Sequence, residues 1–317
     1  MLSDDRLHRR GLTLAIAGMV ILSPDALLIR LVEGAGIFQI IFYRTLFMGI
    51  VLALGLGAYY GRQLPALMVA LGWRGALSSV LMAASNVGFV GAMLNTSVAN
   101  ALVILATIPI FGALFSYLLL GERIRRHTAI AILLAIAGVL VIVSGSLGRG
   151  SLLGDAIALG VAAMQGLNLT ILRGAGDKDA TLSICIAGFL AAAAALPLTG
   201  TLRVSAHDLG LLALLGGLVL PLALGLFMAG ARYAPAAEVG LMALLETTLG
   251  PLWVWVGVGE VPPEEAFIGG ALVIGAIVTN SVMAFAASGQ SHGSPRGARA
   301  GRSRPPERRS RAPRRGT

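Results

Sequence analysis

The chain has 317 residues, of which 56% are hydrophobic and only 12% charged, and its formal net charge is +9. Soluble domains of this size carry about 25% charged residues, so a water-solvated globule is excluded and lipid must act as solvent for much of the apolar surface. The positive charge does not signal a nucleic-acid partner. Nine arginines and one glutamate fall in residues 288–317, which therefore hold +8 of the +9.

Residues 1–10 form an N-terminal segment with Arg9 and Arg10 placed before an apolar run. That run reaches about 20 residues, long enough to cross a bilayer, and many others follow it, so it reads as an uncleaved first span rather than a signal peptide. Apolar runs of this kind predict spans at 11–31, 37–58, 75–94, 98–120, 128–146, 152–172, 181–199, 209–230, 238–258 and 266–286. The fold class expected is an all-α integral membrane protein of ten transmembrane helices. The turn at Asn95 to Ser97 is tight, which forces antiparallel neighbours.

Charged residues inside these runs cost about 2.5–3.5 kcal/mol each at a helix centre, so each needs an account. In the first span Asp25 and Arg30 follow Pro24, and Arg44 sits about a third of the way into the second. Asp25 can neutralise Arg44 or Arg30, as a structural ion pair or as a substrate-facing one. Arg30 is also near enough to the surface to snorkel. Glu246 is the deepest acid, near the middle of the ninth span. It is a candidate for binding a cationic group or carrying a coupling proton; a neutral or paired acid stabilising helix contacts is the other reading. Glu238, Met242 and Glu246 share a helical stripe at i, i+4, i+8. Trp253 lies seven residues beyond Glu246, either closing a cavity or sitting at the membrane interface. Asn86, Asn100, Gln165 and Asn168 are cheaper uncharged candidates for lining the site or for interhelical hydrogen bonds. Pro109, Pro221 and Pro251 are expected to kink the fourth, eighth and ninth spans. The fifth and tenth spans carry few polar residues and should face lipid or a second copy of the chain.

A shift of 138 residues brings the two halves into correspondence. Asn95 to Glu122 falls on Tyr233 to Glu260, and Gly121–Glu122 matches Gly259–Glu260. Asn100 falls on Glu238. The chain then divides into a first five-helix repeat at 11–147, a second at 148–287 and an Arg-rich tail at 288–317. Five is odd, so the second repeat enters the membrane from the opposite side, an arrangement that suits alternating access. Lys and Arg outside the spans and the tail divide eleven to two between the faces when the N-terminus is placed inside. Both termini are therefore expected in the cytoplasm.

This pattern resembles the EamA-type branch of the drug/metabolite transporter superfamily. The resemblance is carried by the paired Gly-Glu dipeptides, by FYRTLF around Arg44, by YAPAAEVGLMALLE ending at Glu246, and by AIAGVLVIV in the fifth span. Where the family often reads Leu-Glu-Pro in the ninth span, Thr247 stands here, with Pro251 a turn later. The resemblance implies ten helices, cytoplasmic termini and movement of small metabolites, amino-acid-like compounds or drugs across the cytoplasmic membrane. Glu122 and Glu260 are expected to order helix ends.

The competing readings are an intramembrane enzyme and a non-transporting scaffold. Cys185 is the single cysteine, so no intrachain disulfide or cysteine metal cluster forms. His8, His127, His207 and His292 fall in termini or loops. The GxSxG at 289–293 lies in the tail, without the strand and helix a nucleophile elbow needs. No cofactor is expected. The expected partners are a small-molecule substrate, membrane lipid around the spans and tail, and a second copy in a homodimer. The lack of aromatic residues in the tail weighs against nucleic acid.

Overall fold

The computed structural model describes residues 2–121, 126–146, 151–172, 177–231, 233 and 236–292. Side-chain surroundings are described for all of these except 2–8, 127–128, 146, 177–180, 231, 236–244, 280–281 and 284–292. Glu238, Glu122 and the whole Arg-rich tail thus lie outside the described side chains.

The described residues are helical nearly throughout. In chain order the helices are α1 (Leu2–Leu22), α2 (Asp25–Arg30), α3 (Ile37–Tyr60), α4 (Leu64–Val69), α5 (Gly72–Asn95), α6 (Val98–Leu105) and α7 (Ile108–Leu120). They continue with α8 (Arg126–Ser146), α9 (Leu152–Leu172), α10 (Asp177–Ala195), α11 (Ala206–Leu214), α12 (Leu220–Ala231), α13 (Ala236–Val258) and α14 (Glu264–His292). Seven stretches of the described residues are long and apolar enough to cross a bilayer: Arg9–Arg30, Ile37–Val69, Gly72–Asn95, Val98–Leu120, Leu152–Leu172, Thr181–Leu198 and Ala206–Gly230. The chain is a multi-pass membrane protein. The expected fifth span falls on α8, whose apolar run is Ala129–Gly145, and the expected ninth and tenth fall on α13 and α14, of 23 and 29 residues.

Among the described residues, three of the breaks inside the spans bear on the site, each with its own cause. Pro24 and Ser23 separate α1 from α2. Proline donates no hydrogen bond and its ring crowds the carbonyl four residues back. At Pro109 the same clash falls on Leu105, the last residue of α6, and α7 restarts with Pro109 in its first turn. Residue 247 is its equivalent under the 138-residue shift and is threonine, so α13 runs unbroken there and carries only Pro251 inside it. Proline therefore does more than kink the fourth span and less than break the ninth. The third break is a π-helical turn, Leu215–Val219, joining α11 to α12 just before Pro221.

The main helix pairings are α5 with α9, α1 with α12, α3 with α10, α8 with α14, α10 with α5, and α7 with α9. Close approach is paid for by small residues. Gly138 on α8 and Gly269 on α14 meet so closely that a Cβ on either would lie within 3 Å of the other's carbonyl oxygen, the packing that membrane helices use when no hydrophobic force separates lipid from protein contact. Met19, Ile29, Ile40, Met48, Met93 and Ile104 belong to the principal buried cluster. Large apolar side chains face outward elsewhere, Leu133 on α8 at 67% exposure and Phe267 on α14 at 64% among them. In water this would aggregate; in a bilayer it is the lipid-facing surface.

Candidate functional site

The short helix α2 carries two charges five residues apart. At 3.6 residues per turn their side chains leave the axis about 140° apart, so Asp25 and Arg30 address different neighbours. Asp25 Oδ2 accepts from Arg44 Nη2 at 2.7 Å, and the two side chains are 3% and 4% exposed. Arg30 instead pairs with Glu260 at 3.0 Å and donates to the carbonyl of Thr96 at 2.9 Å. The choice left open by the sequence thus falls on Arg44 for Asp25.

Arg44 is held from several sides. Its Nη1 donates to Asn86 Oδ1 at 3.1 Å, and Asn86 Nδ2 donates back to the Met82 carbonyl at 3.0 Å, which orients the amide oxygen toward the guanidinium. The guanidinium carbon lies 5.3 Å from the centroid of the Phe89 ring, a favourable cation–π placement one turn beyond Asn86. The π-helical turn brings Gly216 against the Arg44 backbone, where a side chain on residue 216 would collide with the Arg44 carbonyl. A buried guanidinium needs this many partners, because each unpaired donor taken out of water costs free energy. The cluster is still incompletely satisfied: Asp25 Oδ1 and Arg44 Nε are buried without a hydrogen-bond partner.

Glu246 on α13 lies half-buried and within electrostatic reach of both Asp25 and Arg44. Four of the sequence candidates, Asp25, Arg44, Asn86 and Glu246, are therefore gathered into one charged neighbourhood from α2, α3, α5 and α13. Glu238 lies outside the described side chains. Asn100 on α6 is buried at 4% exposure. Asn168 on α9 is buried at 3% exposure and its Oδ1 has no partner, while Gln165 is half-buried one turn away. Trp253 donates from Nε1 to Ser23 Oγ at 2.8 Å and so grips the α1–α2 break. It is 43% exposed.

A second network occupies the end of the molecule where α2 ends and α6 begins. Glu260 Oε1 accepts from the Val98 backbone N–H at 2.8 Å, the first residue of α6. Thr96 Oγ1 donates to Asp155 Oδ1 at 2.6 Å, and Asp155 is 2% exposed. Nearby, Asp208 accepts from the backbone N–H groups of Glu33 and Gly34 at 3.3 and 3.1 Å. Gln39 Nε2 and Tyr43 Oη donate to the carbonyls of Thr201 and Leu202, both at 2.6 Å. A depression of about 350 Å³ opens beside Arg30, Asn95, Thr96, Ser97, Ser151 and Glu260. Phe89 and Thr96 escape sequence reasoning as site residues, since an aromatic in an apolar run and a polar residue at a helix end look ordinary, while Asp155 stands out only as an acid too shallow to join Asp25. The signal available for Asp155 is an acid at the outer edge of the sixth span.

Residues 9–144 match the family model described as the EamA-like transporter family, a stretch that holds Gly121–Glu122, FYRTLF and AIAGVLVIV but not Gly259–Glu260. No curated protein matches the chain. Among solved structures, one titled only as the crystal structure of a protein superposes with a TM-score of 0.62, over 86% of this chain and 98% of that one, at 18% identity. At that identity the likeness speaks for the fold.

Proposed function

We propose that this chain, whose first half is EamA-like, is a secondary transporter that exports small metabolites, amino-acid-like compounds or drugs by alternating access. The observation that carries the reading is the Asp25–Arg44–Asn86 cluster with Glu246 in reach: charges this expensive inside a membrane protein are retained where a substrate or ion passes. The cluster offers an anionic and a cationic group side by side, each with an atom left unbonded, which suits a polar solute exchanging one partner for another. The site is bounded by spans one to four and six to nine, with Asn100, Asn168, Gln165, Glu238 and Trp253 as its further candidates. Both termini face the cytoplasm in this reading.

The inverted repeat is supported by the helix pairings. Under the 138-residue shift the pair α5–α9 exchanges with α12–α1, and α7–α9 exchanges with the contact of α13 on α1, while α3–α10 and α8–α14 map onto themselves. The ends of the fourth and ninth spans agree as well. Gly121 and Gly259 both adopt left-handed φ, 68° and 72°, and their N–H groups bond Tyr117 and Trp255, themselves 138 apart, at 3.1 and 3.0 Å. Two groups of helices result, one of α5, α6, α7 and α9 and one of α1, α2, α12 and α13. Rocking one against the other around the charged cluster exposes it to each side in turn.

The test is flux in proteoliposomes under an imposed pH gradient, with solutes drawn from those that accumulate in cells lacking the protein. Glu246→Gln is expected to abolish pH-driven flux while the protein still inserts and purifies. Undiminished pH-driven flux in that variant would remove Glu246 from the coupling role, and no solute flux by the unaltered chain would remove the transporter reading.

A further inference from the structure

Helix α13 ends in Gly259, whose left-handed backbone turns the chain out of the helix and sends Glu260 back toward the start of α6. The Glu260 carboxylate then does two things with its two oxygens. Oε1 takes the otherwise unsatisfied N–H of Val98, a helix-end donor that needs an outside partner. Oε2 pairs with Arg30 on α2, and the same Arg30 nitrogen reaches the Thr96 carbonyl in the α5–α6 turn. Because Thr96 is tied to Asp155 at the start of α9, one run of bonds joins α13 and α2 to α6 and α9.

This run differs from its neighbours in what it connects. The bonds of Asp208 with Glu33 and Gly34, and of Gln39 and Tyr43 with the 201–203 segment, hold α2 and α3 to the α10–α11 side. The Thr96–Asp155 bond lies within the α5, α6, α7 and α9 group. Arg30 and Glu260 alone among these side chains cross between the two groups that must separate for this end to open. Their side chains are 23% and 26% exposed, so water reaches the pair and it can break without stranding a charge in lipid. Beneath it the seam between α6 and α13 is closed by Ala99 and Val254, 6% and 1% exposed.

We propose that the Arg30–Glu260 pair, whose partners both belong to the α1, α2, α12 and α13 group, is the latch of this end of the transport path: the pair holds Arg30 on the Thr96 carbonyl and Glu260 on the Val98 N–H, the two bonds that cross to the other group, and solute exchange through this face requires those crossing bonds to break. The proposal rests on the alternating-access reading and adds to it the residues that control one face. It makes Glu260 a positioning residue that sets which face is open, through Arg30 and Val98, without itself touching the solute.

The experiment uses the full chain in nanodiscs with Cys185→Ala and a single reporter thiol, Ala99→Cys, or Val254→Cys as a second reporter, and a bulky membrane-impermeant maleimide. The latched protein should label slowly. Arg30→Gln and Glu260→Gln should each raise the labelling rate about tenfold, the scale of a coupling lost between two states. The double variant should label no faster than the quicker single one, because the pair positions both crossing bonds and the loss of either partner releases them together. Glu260→Gln keeps an oxygen for the Val98 N–H, so the charge pair is what it removes. As a check that needs no variant of the pair, raising salt from 50 mM to 1 M should accelerate labelling of the parent reporter protein, since the screening length falls to about 3 Å. Parent-like labelling in both single variants, multiplying effects in the double, or no response to salt would each overturn the latch. Flux measured on the same preparations separates the two ideas: unchanged labelling with flux intact sinks only the latch, whereas faster labelling without any flux sinks only the transporter reading.

Discussion

Two arginine–carboxylate pairs meet on the six-residue helix α2, and they differ chiefly in depth. Asp25–Arg44 is almost wholly buried, with Asn86 and Phe89 completing the guanidinium's surroundings. Arg30–Glu260 sits at the end of the molecule with about a quarter of each side chain exposed. A buried pair is dear to break because the surviving charge has no water to turn to, whereas a solvated pair contributes little and opens readily. The same chemistry therefore serves two purposes, a charge-neutral centre below and a reversible fastening above.

The comparison can be broken most forcefully at its buried member. Asp25→Ala or Arg44→Ala should destabilise the protein by about 3–5 kcal/mol, read as a large fall in melting temperature in detergent. The neutral double variant Asp25→Asn with Arg44→Gln should recover much of that loss. If either single variant melted with the parent, the pair would not be the buried centre described. Next in size is Gly216→Val, which forces a side chain into the Arg44 backbone and should cost about 1–3 kcal/mol by overpacking; a neutral result would mean that the π-helical turn yields freely. Trp253→Phe removes one hydrogen bond to Ser23 and should cost about 0.5–1.5 kcal/mol, checked by the same melt. The smallest effect on stability belongs to Glu260→Gln, less than about 1 kcal/mol, even though that change should be the one that alters access at its face. A melting loss for Glu260→Gln as large as that for Asp25→Ala would erase the distinction between the two pairs.

Much of this was legible beforehand for one reason: charge inside an apolar run is costly and stands out. Asp25, Arg44 and Glu246 announce themselves in that way, and Asn86 does so more faintly. Their partners were less legible. Arg30 and Arg44 were equal claimants on Asp25, and the deciding quantity, the direction in which each side chain leaves its helix relative to its neighbours, depends on how α2 breaks from α1. Proline effects were legible only in part. α6 ends at Leu105, four residues before Pro109, whereas Pro251 is absorbed within α13, so the same residue type has two outcomes. Thr96 was obscure because polar residues at helix ends are common, and only its burial against Asp155 marks it.

What the sequence by itself determined was the solvent and the periodicity: runs of about 20 apolar residues demand lipid, and the 138-residue correspondence marks two similar halves. Those properties are written along the chain, so one dimension suffices to read them. What only the tertiary structure decided was which charges meet, at what depth, and which of them join separate groups of helices. Those are properties of neighbours in space, where the free energy of a charge depends on water and partners that distant segments supply or exclude.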